Sequence, residues 1–217
     1  MPTVTGLTPS SRDPNRLTIK VDRKAAATLP HTTIANLGLS VGDDWTPEIA
    51  AAVDEATHDD KALRFALSSL NRRAVARSKL DRKLADRDHS AGTRQRVLDH
   101  LEHLGHLDDF ALAQSLIRSQ TRAKPAGPRL LQQKLFQAGI AKDAADRALS
   151  EHEQHLDPDA TRQQALDFAK RKLATLSRFD PATQRRRLYG TLARRGFSPD
   201  LIQDVMDRLA NSPDDGA

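Results

Sequence analysis

The apolar residues of this chain form a pattern that occurs three times. In each copy two leucines stand four residues apart, which places both on one face of a helix, and a further apolar pair follows at a fixed offset. The leucine pairs are Leu80 and Leu84, Leu131 and Leu135, and Leu188 and Leu192, and the pairs that follow are Val97-Leu98, Ala148-Leu149 and Val205-Met206. A helical unit of this size cannot bury its apolar face alone, so the copies must stack. The pattern therefore predicts tandem helical repeats.

A helix-ending residue stands at the same place in each copy. Gly139 and Gly196 come four residues after the second leucine, where a glycine supplies the positive φ that ends a helix. Asp88 occupies this place in the first copy, and an aspartate tolerates the left-handed conformation at some cost. Ser90 and Ser198 follow as predicted caps of the next helix.

The first part of the chain has a different pattern. Residues 17–22 alternate apolar and polar side chains, which predicts a strand, and a turn at Arg23-Lys24 leads into a predicted second strand over residues 25–29. We expect Trp45 to lie on a short third strand and to anchor the core of this module. Thr46-Pro47 predicts a helix start, because a hydroxyl cap precedes a proline at the first helical position.

Together these signals predict a mostly α-helical protein, with three tandem three-helix repeats after a small N-terminal α+β module built on a β-hairpin. Only 4% of the residues are aromatic and 29% are charged, which suits small helical units with thin shared cores. The predicted boundaries are 1–15 for a flexible lead, 16–57 for the N-terminal module, 60–106, 107–155 and 159–209 for the first, second and third helical repeats, and 210–217 for a polar tail.

Positive charge is concentrated towards the C-terminal end. Residues 1–60 carry 5 Lys/Arg and 9 Asp/Glu, a net charge of −4, whereas residues 61–217 carry 29 and 20, a net charge of +9. Between Arg162 and Arg195 there are ten basic residues and two acidic ones. A basic field of this kind favours a polyanion or an acidic protein surface as the partner, although an ordinary solvated helix face has the same composition.

The predicted partner-binding or DNA-binding surface is therefore a basic face centred on the third repeat. An arginine suits either target, because its planar fork pairs with phosphates and with carboxylates. The candidate residues are Lys170, Arg171, Lys172, Arg185, Arg186, Arg187, Arg194 and Arg195 in the third repeat, with Arg72, Arg73, Arg118, Arg122 and Lys124 in the first two.

No motif of catalytic, cofactor-binding or metal-binding chemistry stands out. His100, His103 and His106 are spaced three apart, but on a helix such residues drift by roughly 60° per step, so a surface role is the preferred interpretation. The adjacent acids Asp108-Asp109 point in different directions on a helix and are better explained by capping. Cysteine is absent, which excludes a disulfide framework and a thiolate metal site. We expect no enzymatic activity, no cofactor and no metal.

DNA binding is open as a separate hypothesis. Tyr189 lies beside the arginines of the third repeat and could stack on a base, although packing at the core or rim is the preferred interpretation. With so few aromatic residues, a stacking platform for single strands has little support. The three-helix units resemble a helix-turn-helix in outline, so the alternative function is a helix-turn-helix-like DNA-binding transcription regulator.

In combination, the motifs of the three repeats resemble those of the RecX regulatory proteins. The motifs are L-D-D-x-x-x-A at residues 107–113, K-x-x-G-P at residues 124–128 and R-R-G-F-S at residues 194–198, and the likeness extends over about residues 60–209. The N-terminal module resembles the extension that precedes the repeats in some members. The chain departs from the family pattern at Asp88, which replaces a glycine, and at Leu112, where members commonly carry Phe.

The resemblance implies three three-helix repeats in a curved rod that binds the RecA recombinase filament. It implies a non-enzymatic regulator that inhibits the ATPase and strand-exchange activity of RecA, and so modulates recombinational DNA repair and the SOS response. Single- or double-stranded DNA would be a weak, salt-dependent second partner. We expect a monomer in the cytoplasm without membrane contact, because no stretch approaches the roughly 20 apolar residues of a membrane span.

Overall fold

The computed structural model describes residues 1–211 of the chain. Within this range the chain forms three strands and ten helices, in the order β1 (Val4–Pro9), β2 (Arg16–Val21), β3 (Lys24–Pro30), α1 (His31–Asn36), α2 (Pro47–Arg72), α3 (Arg77–Ala85), α4 (Ala91–His103), α5 (Asp109–Ala123), α6 (Pro128–Ala138), α7 (Lys142–Gln154), α8 (Pro158–Ala174), α9 (Pro181–Arg194) and α10 (Pro199–Asn211). The chain divides into two compact units, the first made of residues 1–74 and 80–107 and the second of residues 75–79 and the chain from Asp108 onwards. The predicted mostly helical fold with a small N-terminal sheet is confirmed.

The N-terminal module is an antiparallel sheet in the order β1-β2-β3. Ile19 of β2 and Leu29 of β3 are fully buried in its core. The two strands are joined at Asp22 and Arg23, whose φ angles of 46° and 65° are both positive, as in the type I′ turns that suit the twist of a hairpin. The turn therefore lies one residue earlier than predicted, since Lys24 already pairs within the ladder.

The prediction of a flexible lead over residues 1–15 is wrong for its first part. Residues 4–9 form β1, which pairs with β2, and Val4 is buried. This short segment contains a glycine and a proline, which are uncommon in strands, so its sequence does not predict one. The segment is ordered as a strand by its pairing with β2. Trp45 lies outside the strands, so the predicted third strand is wrong, but its side chain packs against the core of the module as expected.

The boundary predicted between the N-terminal module and the first repeat, at residues 57–60, falls inside the 26-residue helix α2. The helix begins at Pro47 with the side chain of Thr46 as its cap, as predicted. The sequence near residue 60 has no glycine or proline that would end the helix. Within the helix, the carboxylate of Asp60 pairs with the guanidinium of Arg16 of β2 at 2.7 Å. One continuous helix thus serves both the sheet and the first repeat.

Burial confirms the register of the repeats. The paired leucines of all three copies are at most 2% exposed, and the apolar pairs that follow them are at most 9% exposed. Gly139, Gly196 and Asp88 have positive φ angles of 78°, 80° and 61°, which are the predicted helix-ending conformations. The aspartate therefore adopts the backbone geometry of the glycine that it replaces.

Side-chain caps set most helix starts of the repeats. The side chains of Ser90, Asp108 and Ser198 accept backbone N–H hydrogen bonds of 3.2, 2.8 and 3.3 Å, as predicted. Asp157 was expected in a linker over residues 157–159 but caps α8, which begins directly after it. In the predicted polar tail, residues 210 and 211 complete α10, and residues 212–217 lie outside the described part of the chain.

In the second unit, the last two repeats meet backbone to backbone at two glycines, and we call this contact the glycine joint. The N–H of Gly127 donates to the carbonyl oxygen of Arg195 at 2.8 Å. A Cβ on Gly127 would lie 2.2 Å from the carbonyl oxygen of Gly196, and a Cβ on Gly196 would lie 2.2 Å from the backbone nitrogen of Leu130. No side chain fits at such separations. The G-P and R-R-G-F-S motifs of the sequence are therefore in direct contact.

The end of α6 packs on the start of α3 in a related way. A Cβ on Gly139 would lie 2.7 Å from the Oγ of Ser78, and the hydroxyl of Ser78 donates to the carbonyl oxygen of Gly139. The carboxylate of Asp109 accepts from the N–H of Arg77 at 2.9 Å and from the N–H of Ala141 at 3.2 Å. Of the two acids expected to cap, Asp108 caps α5, whereas Asp109 bridges two other segments.

We predict that Leu84→Ala, Leu135→Ala and Leu192→Ala each lower the free energy of unfolding by about 2–5 kcal/mol, because each empties a core site. The three side chains are at most 1% exposed. Phe136→Ala is the control, since this side chain is 83% exposed and should cost less than about 0.5 kcal/mol. Chemical denaturation measures all four changes. If all three leucine variants had free energies of unfolding within about 0.5 kcal/mol of the parent protein, the proposed register of the repeats would be wrong.

Candidate partner-binding surface

Of the eight candidate residues in the third repeat, seven are exposed or half-buried on α8 and α9, and the eighth, Arg195, follows α9 and is described below. Lys170 and Arg171 near the end of α8 are exposed, and Lys172 beside them is half-buried. Arg185, Arg186, Arg187 and Arg194 are exposed along α9. Within residues 1–211 none of these seven side chains forms an ion pair with a carboxylate. Their charge is therefore available to a partner.

Helix geometry divides the arginines of α9 between its two sides. Leu188 and Leu192 define the buried face. Successive residues turn by about 100° around the helix axis. Arg186 therefore points away from the core, and Arg185 and Arg187 lie on either side of Arg186. Arg194, seven residues beyond Arg187, returns to the same side. The run of three arginines therefore makes a broad convex surface and not a single row.

Two aromatic side chains accompany these arginines. The guanidinium carbon of Arg187 lies 3.8 Å from the ring centroid of Phe179, which holds its charge in place by a cation–π contact. Tyr189 is 44% exposed, one turn after Arg185 on the same side of α9. Its position at the rim of the repeat agrees with the preferred interpretation.

Arg195 does not belong to the exposed set. Its Nε donates to the carbonyl oxygen of Pro125 at 2.7 Å and one terminal nitrogen donates to that of Lys124 at 2.8 Å. Burial lowers the pKa of the Arg195 guanidinium, which nevertheless remains charged at neutral pH. This side chain fixes the segment before α6 onto the end of α9, so its role is structural. The sequence could not separate it from Arg194, because the two residues are adjacent and chemically identical.

The remaining candidates occupy two other places. Arg118 and Arg122 lie one turn apart and exposed on α5, and Lys124 is exposed just after that helix. Arg72 and Arg73 end α2 in the first unit, and both are exposed. The thirteen candidates are thus distributed over both units, with Arg72 and Arg73 in the first and the other eleven in the second.

Sequence reasoning missed the surface between α5, α7 and α8. His152 of α7 faces a cavity there that Arg118 and Arg122 also line. Burial of its ring lowers the pKa of His152 below the ordinary histidine value. The only sequence signal was the spacing of Arg118 and Arg122 by four residues, since a histidine on an amphipathic helix is not distinctive.

Two structural tests bear on other classes of function. Among residues 1–211 no group of three or more histidine or acidic side chains is placed to hold a metal ion. Of the three histidines spaced three apart, His100 and His103 lie on α4, whereas His106 lies after Gly105, the glycine that ends this helix. No helix in the described chain combines the length and the apolar character needed to cross a membrane.

Comparison with known proteins identifies the repeats. The model of the second three-helix domain of RecX matches residues 108–149, and the model of the third three-helix domain matches residues 160–206. The regulatory protein RecX of Chlorobium phaeobacteroides is 32% identical over 156 residues, which cover 72% of this chain and 98% of the relative. The chain belongs to the RecX family.

Other RecX proteins agree with this assignment. The regulatory protein RecX of Mycolicibacterium smegmatis is 33% identical over 171 residues, which cover 76% of this chain and 88% of the relative. A crystal structure of a regulatory protein RecX superposes with a TM-score of 0.81 at 22% identity, covering 95% of this chain and all of that one. RecX from Lactobacillus salivarius gives a TM-score of 0.61 at 20% identity, covering 70% of this chain and 97% of that one. The sequence comparisons show the family, and the crystal structures show the same fold.

We predict that Arg195→Gln lowers the free energy of unfolding by about 1–3 kcal/mol, because two backbone carbonyls lose a charged donor. Arg194→Gln is the matched control, since the Arg194 side chain is exposed and its substitution should change stability by less than about 0.5 kcal/mol. Urea denaturation of both variants measures the difference. Equal effects at the two positions would show that Arg195 is an ordinary surface residue.

Proposed function

We propose that this RecX-family chain binds the RecA recombinase filament and inhibits its ATP hydrolysis and strand exchange, without catalysing a reaction itself. It would thereby modulate recombinational DNA repair and the SOS response. Family membership supports a regulatory role, because its relatives are named as regulatory proteins. The observation that carries the proposal is the set of exposed basic side chains on α8 and α9 that have no acidic partner within residues 1–211.

The charges of this surface suit a filament of protein and nucleic acid. Arginine pairs with carboxylates and phosphates in the same planar geometry, so one surface can contact acidic side chains and the DNA backbone. A protein that binds one state of the filament more tightly than another shifts the filament towards that state. Inhibition then requires only differential binding, with no nucleophile, metal or general base.

Direct DNA binding enters this proposal as a weak, salt-dependent contribution. Phosphate contacts release counterions and weaken steeply as salt rises, whereas base contacts in addition discriminate sequences. Arginine side chains can neutralise phosphates without reading base edges, so contacts to the DNA backbone, which carry no sequence information, are sufficient for this contribution. We therefore expect random-sequence DNA to bind without sequence preference, unlike the helix-turn-helix regulator considered from the sequence.

We predict that the combined substitution of Lys170, Arg171, Lys172, Arg185, Arg186 and Arg187 by Gln raises the concentration needed to inhibit the DNA-dependent ATPase of RecA by about ten-fold or more at low salt, on the order of 1.4 kcal/mol. Each exposed ion pair contributes roughly 0–1 kcal/mol, so no single substitution should suffice. The salt dependence of binding should flatten as well. Circular dichroism should be unchanged, because the six side chains lie outside the core.

The control removes the same charge elsewhere. Arg12, Lys24, Lys61, Arg82, Arg129 and Lys134 also comprise five exposed side chains and one half-buried side chain, and none has an ion pair within the described residues. Their joint replacement by Gln should leave inhibition within about two-fold, since the contact surface is intact. Equal losses in both variants would mean that only net charge matters. An unmodified protein that leaves RecA turnover unchanged over a wide concentration range would refute the proposed function itself.

A further inference from the structure

The second unit contains a groove that the function proposed above leaves unexplained. It is a cavity of about 440 Å³, within the range typical of ligand-binding sites, and it is partly open to solvent. It is bordered by α5, α7, α8, the segment before α6 and the turn after α9. Its lining residues are Arg118, Thr121, Arg122, Pro125, Ala126, His152, Leu156, Thr161, Gln164 and Phe197. We call it the α5–α8 groove.

One wall of the groove is basic. Arg118 and Arg122 are four residues apart on α5, so their side chains project from the same face of that helix. Neither has a carboxylate partner within residues 1–211. The hydroxyls of Thr121 and Thr161 already donate to backbone carbonyls of their own helices, so the two guanidiniums are the principal donors open to a ligand.

The floor of the groove is apolar. Phe197, which is 3% exposed, and the half-buried Pro125 and Ala126 form it, and Leu156 contributes an apolar side chain that is 39% exposed. A cavity of this size accommodates one or two side chains and excludes a duplex. Its chemistry fits carboxylates beside an apolar side chain better than a row of phosphates, because a phosphate backbone makes no use of an apolar floor.

His152 is half-buried at the groove, and its ring nitrogens have no hydrogen-bond partner in the described chain. Its burial lowers the pKa, Glu153 opposes that shift and His155 adds to it. From the neighbouring helices it faces the cations Arg118 and Arg122 and the uncharged Thr161 and Gln164, while Glu151 of its own helix accepts from the amide of Gln114. A carboxylate entering the groove would give His152 the acceptor that it lacks.

We propose that the α5–α8 groove binds an acidic segment of a partner protein, with Arg118 and Arg122 pairing with its carboxylates and Phe197 contacting an apolar side chain between them. The inference rests on the proposed function only in that the partner would be the regulated protein. His152 makes this binding dependent on proton uptake. A bound carboxylate raises the pKa of His152 above its pKa in the free protein. The affinity for the acidic segment therefore increases as pH falls through the His152 pKa of the complex, and it becomes constant below the His152 pKa of the free protein.

The first test measures direct binding of two fluorescent probes by anisotropy, without RecA. The peptide probe is a hexapeptide of alternating Glu/Asp and Leu/Phe, and the nucleic-acid probe is a twelve-nucleotide oligo-dT. We expect Arg118→Gln/Arg122→Gln to weaken peptide binding by ten-fold or more. Arg185→Gln/Arg186→Gln removes the same charge from α9 and should leave peptide binding within two-fold.

The second test fills the groove without changing charge. Gln164→Trp places a bulky side chain in the cavity from an exposed position on α8, and it should reduce peptide binding at least five-fold. Gln163→Trp is its control, because this exposed neighbour pairs with Asp167 and does not line the cavity. Equal peptide affinity in both variants would overturn the groove as the binding site.

The third test separates the two neighbouring histidines. Peptide affinity should increase several-fold as pH falls from 8 to 6, and His152→Gln should abolish this dependence. His155→Gln should retain it, because the ring of His155 already contacts the carbonyl oxygen of Glu151. A dependence that survives in His152→Gln would contradict the role of this residue.

The outcomes also distinguish this inference from the proposed function. If oligo-dT binds through Arg118 and Arg122 and the peptide does not, the occupant is nucleic acid and the inference is wrong. If neither probe responds to the groove variants, the groove is not a binding site, and the inference is again wrong. In either case the RecA ATPase assay still reports independently on the proposed function. If the unmodified protein inhibits the RecA ATPase and excess peptide relieves that inhibition, the result would support both the proposed function and the groove as the binding site.

Discussion

The close approach of two backbones at the glycine joint is the constraint on which the second unit depends. Gly127 and Gly196 come so near to the neighbouring repeat that a methyl group at either position would overlap a main-chain atom. The hydrogen bond from Gly127 to the carbonyl of Arg195 and the two bonds from the Arg195 side chain then fasten the segment before α6 to the end of α9. These contacts join the last two repeats through main-chain atoms, whereas the buried apolar residues of the two repeats form separate clusters.

This joint also explains how one basic motif has two roles. In the R-R-G-F-S segment, Arg194 is exposed, Arg195 is bound to carbonyls, Gly196 makes the backbone contact and Phe197 enters the core of the third repeat while lining the α5–α8 groove. The residues that hold the repeats together therefore also shape the surfaces proposed to bind a partner. In such a rigid arrangement several weakly binding surface charges can contact one partner at the same time. Less conformational entropy is then lost on binding, because the side chains are already positioned by the fold.

Much of the fold could be predicted from the sequence, because the paired leucines and the residues after them report local helix geometry directly. The sequence was misleading where long-range pairing decides the structure. β1 forms only because β2 lies beside it, and α2 continues through residue 60 because Asp60 binds Arg16 and nothing ends the helix. The basic composition of α8 and α9 was visible, but the separation of Arg195 from Arg194 and the meeting of His152 with Arg118 depend on packing between helices that are distant in sequence. No local pattern encodes those contacts.

The role of the glycine joint is tested most directly by comparing Gly196→Ala with Gly105→Ala in chemical denaturation. Both glycines end a helix with positive φ, 80° and 71°, so both variants pay the same left-handed backbone strain, about 1–2 kcal/mol. A Cβ at Gly105 meets nothing within 4 Å, whereas one at Gly196 meets the backbone of Leu130. We expect Gly196→Ala to lower the free energy of unfolding by a further 1–3 kcal/mol or so, the usual cost of overpacking. Equal losses in the two variants would show that the repeats are not held by this backbone contact, and would contradict the account.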